Sequence, residues 1–267
     1  MSTKTNGSTM LDTIQFELDA IELHKDVKIL LAVESGSRCW GFPSQNSDWD
    51  VRFVYARPKD DYLRLENVRD NIEWCLEDDL DVVGWDVSKF LRLLRGSNPT
   101  AFEWLGSPIV YRESHLFEKV REVAPECFNP VASAHHYHGM AKKHDMRYIR
   151  NGNTTKKRYL YAVRTLLACR WSIVEQRPVP MAFEELKGAM LDPRMVPVVD
   201  DLVESKRSGL EKETCGPISE LNEWILAQEE ALKTKMDALE TPKRVPWPVL
   251  DEIFLKIVSG TGFKSSF

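Results

Sequence analysis

Residues 34–58 read ESGSRCWGFPSQNSDWDVRFVYARP, and this stretch decides the predicted fold. Gly36-Ser37 follows a short apolar run at residues 29–33, and Asp48 and Asp50 come after ten intervening residues. Apolar residues at positions 51, 53 and 55 then alternate with their neighbours, which is typical of a β-strand. Because residues two apart on a strand point to the same face, Asp48 and Asp50 are predicted to be neighbouring carboxylates.

Such a pair indicates a cation site. Adjacent carboxylates repel each other unless a cation lies between them. Mg²⁺ prefers oxygen ligands and commonly bridges carboxylates to substrate phosphates. Gly36-Ser37 offers a turn at which backbone and a hydroxyl can approach those phosphates. The alternative is an ordinary turn leading into a strand, since Asn46-Ser47-Asp48 is also a typical turn sequence.

Composition restricts the class of protein. The 267 residues suit one large or two ordinary domains of a soluble globular protein. No apolar run is long enough to span a bilayer, and the N-terminus lacks the apolar segment of a secretory signal. The five cysteines are scattered without a CxxC pair, which argues against disulfides or a zinc site and for the cytoplasm. With a net charge of −5, any nucleic-acid contact must come from a local patch.

The pattern of elements predicts an α+β or α/β fold with two domains. A helix at residues 11–25 precedes strands at 27–33 and 48–56, and further strands are expected at 68–76 and 80–85. A helix from Asp86 to Arg95 should end at Gly96. From residue 133 the pattern is almost wholly helical. We therefore expect a small mixed sheet in residues 1–130 and a helical domain in residues 131–267.

The spaced Gly-Ser and Asp-x-Asp resemble the signature of the DNA polymerase β nucleotidyltransferase superfamily. The longer string GSR, WGF and SDWDVRF, within residues 36–53, resembles the RlaP type, a group of predicted nucleotidyltransferases named for their association with RNA ligases. Matching runs continue at residues 84–111, 158–161 and 167–171. The resemblance implies a polymerase β-like fold in which an acceptor hydroxyl attacks the α-phosphate of a nucleoside triphosphate, ATP among them.

The resemblance also implies two Mg²⁺ ions, with Mn²⁺ as an alternative, held by Asp48, Asp50 and a third acid. Asp81 has apolar residues on both sides and is the favoured third acid, either as a metal ligand or as the base for the acceptor hydroxyl. Asp86 is its rival, but it precedes a helix and could simply cap it. In a straight strand the two would lie on opposite faces, so only one should be catalytic.

Nucleotide contacts are expected from two parts of the chain. In the signature these are Gly36, Ser37, Arg38 and Ser47, with Arg38 meeting either a phosphate or an acidic neighbour. In the basic stretch from Lys142 to Arg170, helical spacing places Lys157, Tyr161 and Arg164 on one face. This face suits a triphosphate with its base or sugar, and equally an RNA backbone. A solvated basic face is the alternative.

RNA is the favoured acceptor because of that basic stretch. The same acids would serve an enzyme that attaches AMP to a protein Tyr, Ser or Thr. A non-catalytic nucleotide-binding module is the third hypothesis. Glu103 is expected to be structural, because its neighbours are packing residues.

Overall fold

The first half of the chain contains a five-stranded mixed sheet. The computed structural model describes residues 7–66, 68–77, 79–149, 154–209 and 214–263. The strand order is β3-β4-β2-β1-β5, where β2 and β4 are parallel and the other neighbours are antiparallel. The predicted α+β fold class with a small mixed sheet is therefore confirmed. The strands are β1 (Lys28–Glu34), β2 (Trp49–Ala56), β3 (Asn71–Glu77), β4 (Leu80–Asp86) and β5 (Val110–Glu113).

Helices make up most of the rest of the described chain. Two two-residue strands, β6 (Thr154–Thr155) and β7 (Thr214–Cys215), pair beside them. The helices are α1 (Gly7–Lys25), α2 (Gly36–Trp40), α3 (Val87–Arg95), α4 (Pro99–Leu105), α5 (Glu118–Cys127), α6 (Pro130–His144), α7 (Lys156–Val174), α8 (Phe183–Met190), α9 (Val196–Arg207), α10 (Ser219–Met236) and α11 (Trp247–Gly260). None of the helices in these described ranges is long and apolar enough to cross a membrane.

Apolar side chains cover both faces of the sheet. On one face α1 buries Ile14, Leu18 and Ile21 against alternate residues of β1 and β2. On the other face, side chains of α3, α4 and α5 pack on the remaining strand residues. Since the strands alternate between the two cores, residue parity decides which way a polar side chain points.

The helices from α6 to α10 form a separate core around α7, in which Leu160, Val163 and Leu167 are buried. Two features connect this core with the sheet. Phe42 of the signature stretch is buried in the helical core, with its ring 5.3 Å from that of Phe183. The last helix, α11, packs back onto the core on the second face of the sheet. A division of the chain at residue 130 stays a prediction.

Candidate active site

The acidic residues of the signature meet at one end of β2 and β4. Asp50 lies directly opposite Asp81 in the parallel pair, and Asp48 immediately precedes β2. The register is supported by Gly84, where a Cβ atom would come within 2.2 Å of the Phe53 ring. Burial raises the pKa of Asp50; the charges of Asp81 and Asp48 add to this effect. The three carboxylates are therefore close enough to interact electrostatically.

Asp86 lies at the opposite end of β4, about 16 Å along the strand from Asp81. It is only 3% exposed, and its carboxylate accepts hydrogen bonds from the Ser88 backbone N–H (2.8 Å) and the Tyr62 hydroxyl (2.9 Å). Asp86 thus caps α3, as one reading of the sequence expected. This placement favours Asp81 as the third acid.

Arg52 lies between the two acids that face each other. Its Nη2 donates to Asp50 Oδ1 at 3.1 Å and to Asp81 Oδ2 at 2.8 Å. Arg52 was not among the predicted site residues, although strand alternation places it on the same face as Asp50. In this structure the cation between the carboxylates is a guanidinium.

The predicted metal cluster is not assembled in this conformation. Within the described ranges, no group of three or more His, Cys, Asp or Glu side chains is arranged to hold a metal. The oxygen donors of Asp48, Asp50 and Asp81 are nevertheless of the type that Mg²⁺ prefers. Arg52 would have to release at least one carboxylate before a divalent ion could bridge Asp50 and Asp81.

Arg52→Met is expected to increase the stabilisation that Mg²⁺ confers, because the variant loses the guanidinium that competes with the ion. Without that cation the facing carboxylates repel each other, and a ligand that binds only the folded state raises its stability. Thermal unfolding in Mg²⁺ and in chelator should show a Tm increase about 2–4 °C larger than in the wild type. Arg57→Met is the matched control, since Arg57 lies near Asp86. Equal Mg²⁺ effects in all three proteins would contradict the assigned role of Arg52.

Gly36 opens α2 and lies against Asp50, so the expected Gly-Ser turn is the start of a short helix. Its φ is +68°, a left-handed conformation that favours glycine. A Cβ atom there would lie 2.3 Å from Asp50 Oδ2, closer than any real contact. The Ser35 N–H also donates to the Asp50 carbonyl at 2.8 Å. The glycine of the signature is therefore required by its close approach to the acid.

Glu34, at the end of β1, is a buried carboxylate that binds the backbone of Asp50. It is fully buried, and its Oε1 accepts the Asp50 backbone N–H at 3.0 Å. The Tyr111 hydroxyl donates to the other carboxylate oxygen. Burial raises the pKa of Glu34 to about 7, although these hydrogen bonds act in the opposite direction. The sequence pattern gave no sign of this role, because Glu34 simply ends an apolar strand.

Three serines gather beside the acids. Ser47 Oγ lies 3.2 Å from Ser37 Oγ and 3.0 Å from Ser44 Oγ, and it accepts the Ser44 N–H at 2.8 Å. Arg38, expected to meet a phosphate or an acidic neighbour, donates instead to the carbonyls of Ser47 (2.6 Å) and Asp48 (3.2 Å). Arg38 therefore braces the loop that carries Ser47 and Asp48.

Lys206 of α9 approaches this serine cluster from the helical core. It is only 2% exposed, and its Nζ lies 3.5 Å from Ser47 Oγ. The neighbouring Arg207 donates to the Gly41 carbonyl at 3.3 Å. Lys206 was not among the predicted site residues, since a basic residue in the last turn of a helix is common. The fold thus places the buried ammonium group of Lys206 next to the loop that carries Ser47.

The three predicted α7 residues have different environments. Lys157 Nζ lies 5.7 Å from the Tyr161 ring centroid, and its charge acts to lower the pKa of Asp50. Arg164, in contrast, is 4% exposed and donates to Glu103 Oε1 through Nη1 (3.2 Å) and Nη2 (3.1 Å). Its guanidinium also stacks 4.0 Å from the Trp40 ring centroid. Arg164 is therefore corrected from a phosphate-binding residue to one half of a buried ion pair.

The basic stretch from Lys142 to Arg170 is less continuous on the surface than the sequence indicated. Lys156 donates to Asp201 (3.3 Å) and Ser205 (2.7 Å), and Arg170 donates to the Met190 carbonyl (2.9 Å). Lys142 and Lys143 are exposed. Arg150 and the Arg147 side chain lie outside the described parts of the chain. Several of these charges therefore serve internal contacts.

A cavity of about 90 Å³ lies beside α2, on the side where Arg164 and Glu103 pair. Trp40, Tyr161 and His136 contribute to its walls. Tyr161 meets Trp40 edge-on at 5.4 Å between centroids. The cavity therefore joins the end of the signature helix to α6 and α7.

His136→Gln is expected to make the protein less sensitive to mild acid. Burial lowers the pKa of His136; Glu103 acts to raise it and Lys143 to lower it. Below about pH 6.5 the unfolded chain therefore binds a proton that the folded protein resists, and stability falls with falling pH. Urea unfolding between neutral pH and pH 5 should show a steeper loss for the wild type than for the variant. Parallel curves would contradict a half-buried His136 whose pKa is lowered by its surroundings.

A glycine held against Asp50, with Asp81 opposite it on the neighbouring parallel strand, is consistent with the site that the resemblance to polymerase β-like nucleotidyltransferases implies. Residues 10–256 match the model of RlaP, the RNA repair pathway DNA polymerase beta family. The match covers most of the chain, and the protein belongs to this family. The family resemblance seen in the sequence is thereby confirmed.

Proteins that match this chain include a relative from Bacillus subtilis and a protein of known crystal structure. The uncharacterized protein YcgL of Bacillus subtilis (strain 168) is 38% identical over 244 residues, which cover 91% of this chain and 94% of that protein. A nucleotidyltransferase-like protein from Exiguobacterium sibiricum 255-15, known from its crystal structure, is 12% identical, with coverage of 86% of this chain and 75% of that one. Its TM-score is 0.30.

Proposed function

We propose that this protein is a metal-dependent nucleotidyltransferase that moves a nucleoside monophosphate from a triphosphate to an acceptor hydroxyl and releases pyrophosphate. The observation that carries the proposal is the register of Asp50 opposite Asp81, with Gly36 held against Asp50. This geometry gathers oxygen ligands where a backbone turn gives phosphates close access. Membership of a polymerase β family supports the same reaction.

In the proposed reaction the acceptor oxygen forms a bond to the α-phosphorus, and the bond from that phosphorus to the β-bridging oxygen breaks. Divalent ions at Asp48, Asp50 and Asp81 would stabilise the negative charge on the attacking and leaving oxygens. If Asp81 instead acts as the base, it would take the proton of the acceptor hydroxyl, and Asp48 and Asp50 would hold the ions. Pyrophosphate leaves with the electron pair of the broken bond.

The other residues hold the triphosphate. Ser37 and Ser47 would donate hydroxyl hydrogen bonds to β- and γ-phosphate oxygens. Lys157 and Lys206 would neutralise charge from the helical side, since both face the signature region. Lys206 thus takes the role that the sequence analysis had given to Arg164. Most of this chemistry is positioning and electrostatic stabilisation.

RNA with a free 3′ hydroxyl is the acceptor we propose, in RNA repair or processing. The family description, RNA repair pathway, supports it, as do the exposed Lys142 and Lys143. Protein modification would use the same acids and differ only in the acceptor surface. A non-catalytic module has less support. Arg52 bridges Asp50 and Asp81, yet the charges of Asp81 and Asp48 still act to raise the pKa of Asp50, a repulsion that such a module would not need.

The acceptor is tested with each α-labelled triphosphate and Mg²⁺. RNA with a 3′ hydroxyl, the same RNA with a 3′-deoxy end, and a cell extract are offered in parallel. We expect label only on the 3′-hydroxyl RNA and none with an Asp48→Ala/Asp50→Ala double variant. Label on a protein of the extract would indicate the protein-modifying alternative. No transfer to any acceptor, with no Mg²⁺-dependent nucleotide binding, would contradict the catalytic proposal.

A further inference from the structure

The cavity beside α2 has walls suited to a flat ring. It is lined by Trp40 from the end of α2, by Tyr137 and Met140 of α6, and by Tyr161 of α7. Its volume of about 90 Å³ exceeds several-fold the space that one water needs. Aromatic walls attract planar π-systems, because stacked and edge-on contacts between rings are favourable.

A charged pair gives the cavity a polar wall. Glu103 and Arg164 both line it, and their side chains are 17% and 4% exposed. Glu103 Oε1 accepts from both Arg164 and the Tyr137 hydroxyl (3.0 Å), so the pair is held in a fixed position. A carboxylate beside a guanidinium presents an acceptor next to donors. The edge of a nucleobase carries the complementary groups, whereas a lipid or an aliphatic chain does not.

The cavity lies next to the acids, with α2 between them. Gly36, at the start of α2, lies against Asp50, and Trp40, at the end of the same helix, stacks 4.0 Å from the Arg164 guanidinium. On α7, Lys157 lies over the ring of Tyr161, which lines the cavity, while its charge acts on Asp50. A ligand with its phosphate at the acids could therefore place its base in the cavity, beyond Lys157.

We propose that this cavity binds a nucleobase during nucleotidyl transfer, and so selects the base. The inference rests on the proposed function. The same base chemistry has two sources, the incoming triphosphate and the terminal nucleotide of an RNA acceptor. Stacking on Tyr161 and hydrogen bonding to the Glu103–Arg164 pair would hold the base from either source.

Met140→Trp tests the proposal, because a larger side chain at this partly exposed position should fill the cavity. Met146→Trp is the matched control, since Met146 is exposed and does not line the cavity. Thr100→Phe fills the cavity from α4, and thermal unfolding checks that each variant is folded. Binding is measured calorimetrically in Mg²⁺ for each nucleoside triphosphate and for inorganic tripolyphosphate, which has no base.

If the triphosphate supplies the base, both filling variants should weaken nucleoside triphosphate binding about tenfold or more and leave tripolyphosphate binding unchanged. If the RNA supplies it, the same loss should appear for RNA with a terminal 3′ base but not for RNA with an abasic 3′ nucleotide. The control should bind all ligands as the wild type does.

The inference is overturned if filling the cavity weakens the binding of neither the nucleoside triphosphates nor the RNA with a terminal 3′ base. It is also overturned if tripolyphosphate binding is weakened as much as nucleotide binding. Transfer activity is recorded on the same samples. Unchanged transfer by the filled variants would contradict the base site and leave the proposed function standing. A wild type that neither transfers nor binds nucleotides would overturn both.

Discussion

Asp81→Asn should lower the rate of nucleotidyl transfer by about a thousandfold or more, whereas Asp86→Asn should leave it within about tenfold of wild type. Asp81 lies opposite Asp50 in the β2–β4 pair, so its carboxylate can share an ion or a proton with the signature acids. Asp86 caps α3 at the other end of β4. Its loss should cost about 1 kcal/mol or somewhat more of stability, as for other N-caps.

The two substitutions form a matched pair, since each changes one carboxylate of the same strand to an amide. Single-turnover transfer is measured with α-labelled triphosphate, and stability with urea unfolding. A large loss of transfer for Asp86→Asn, with Asp81→Asn active, would move the third acid to Asp86. It would also require a different geometry from the one described.

Glu103→Ala should destabilise the folded protein by about 3–5 kcal/mol, because it leaves the Arg164 guanidinium buried and without its carboxylate partner. Urea unfolding measures this change. Glu113→Ala is the control, since the Glu113–Arg121 pair is about one-third exposed and its loss should cost about 1 kcal/mol or less.

A double variant separates pairing from packing. Glu103→Leu/Arg164→Met removes both charges and should recover much of the stability, as apolar replacements of buried ion pairs often do. If Glu103→Ala cost no more than the Glu113 control, Arg164 would not depend on this pairing. Its predicted role at the phosphates would then be open again.

The sheet could be predicted because its signals are local. The alternation of residues 51–56 predicts which face of the strand carries Asp50. The same two-residue period places Asp81 and Asp86 on opposite faces of a straight strand. The apolar residues on both sides of Asp81 indicated a buried strand. The capping role of Asp86 could also be predicted, because a helix follows it directly. These features depend on neighbours a few residues apart along the chain.

The partners of the basic residues could not be predicted in this way. Glu103 and Arg164 are 61 positions apart, and Lys206 and Ser47 are 159 apart. The approach of α7 to α4 brings the first pair together, and the approach of α9 to the signature stretch brings the second. Lys157 and Arg164 share a helical face with Tyr161, yet one is positioned towards Asp50 and the other is buried against Glu103. Helical periodicity predicts which residues share one face of a helix, but not which parts of the protein each of those residues contacts.

The central claim is nucleotidyl transfer at the Asp48, Asp50 and Asp81 carboxylates. The most direct test compares the same triphosphate labelled at the α- or the γ-phosphate, with wild-type protein, Mg²⁺ and 3′-hydroxyl RNA. We predict that label reaches the acceptor only from the α position, with one pyrophosphate released per transfer, and that Asp50→Asn abolishes both. Label transferred from the γ position, or release of inorganic phosphate in place of pyrophosphate, would contradict the claim.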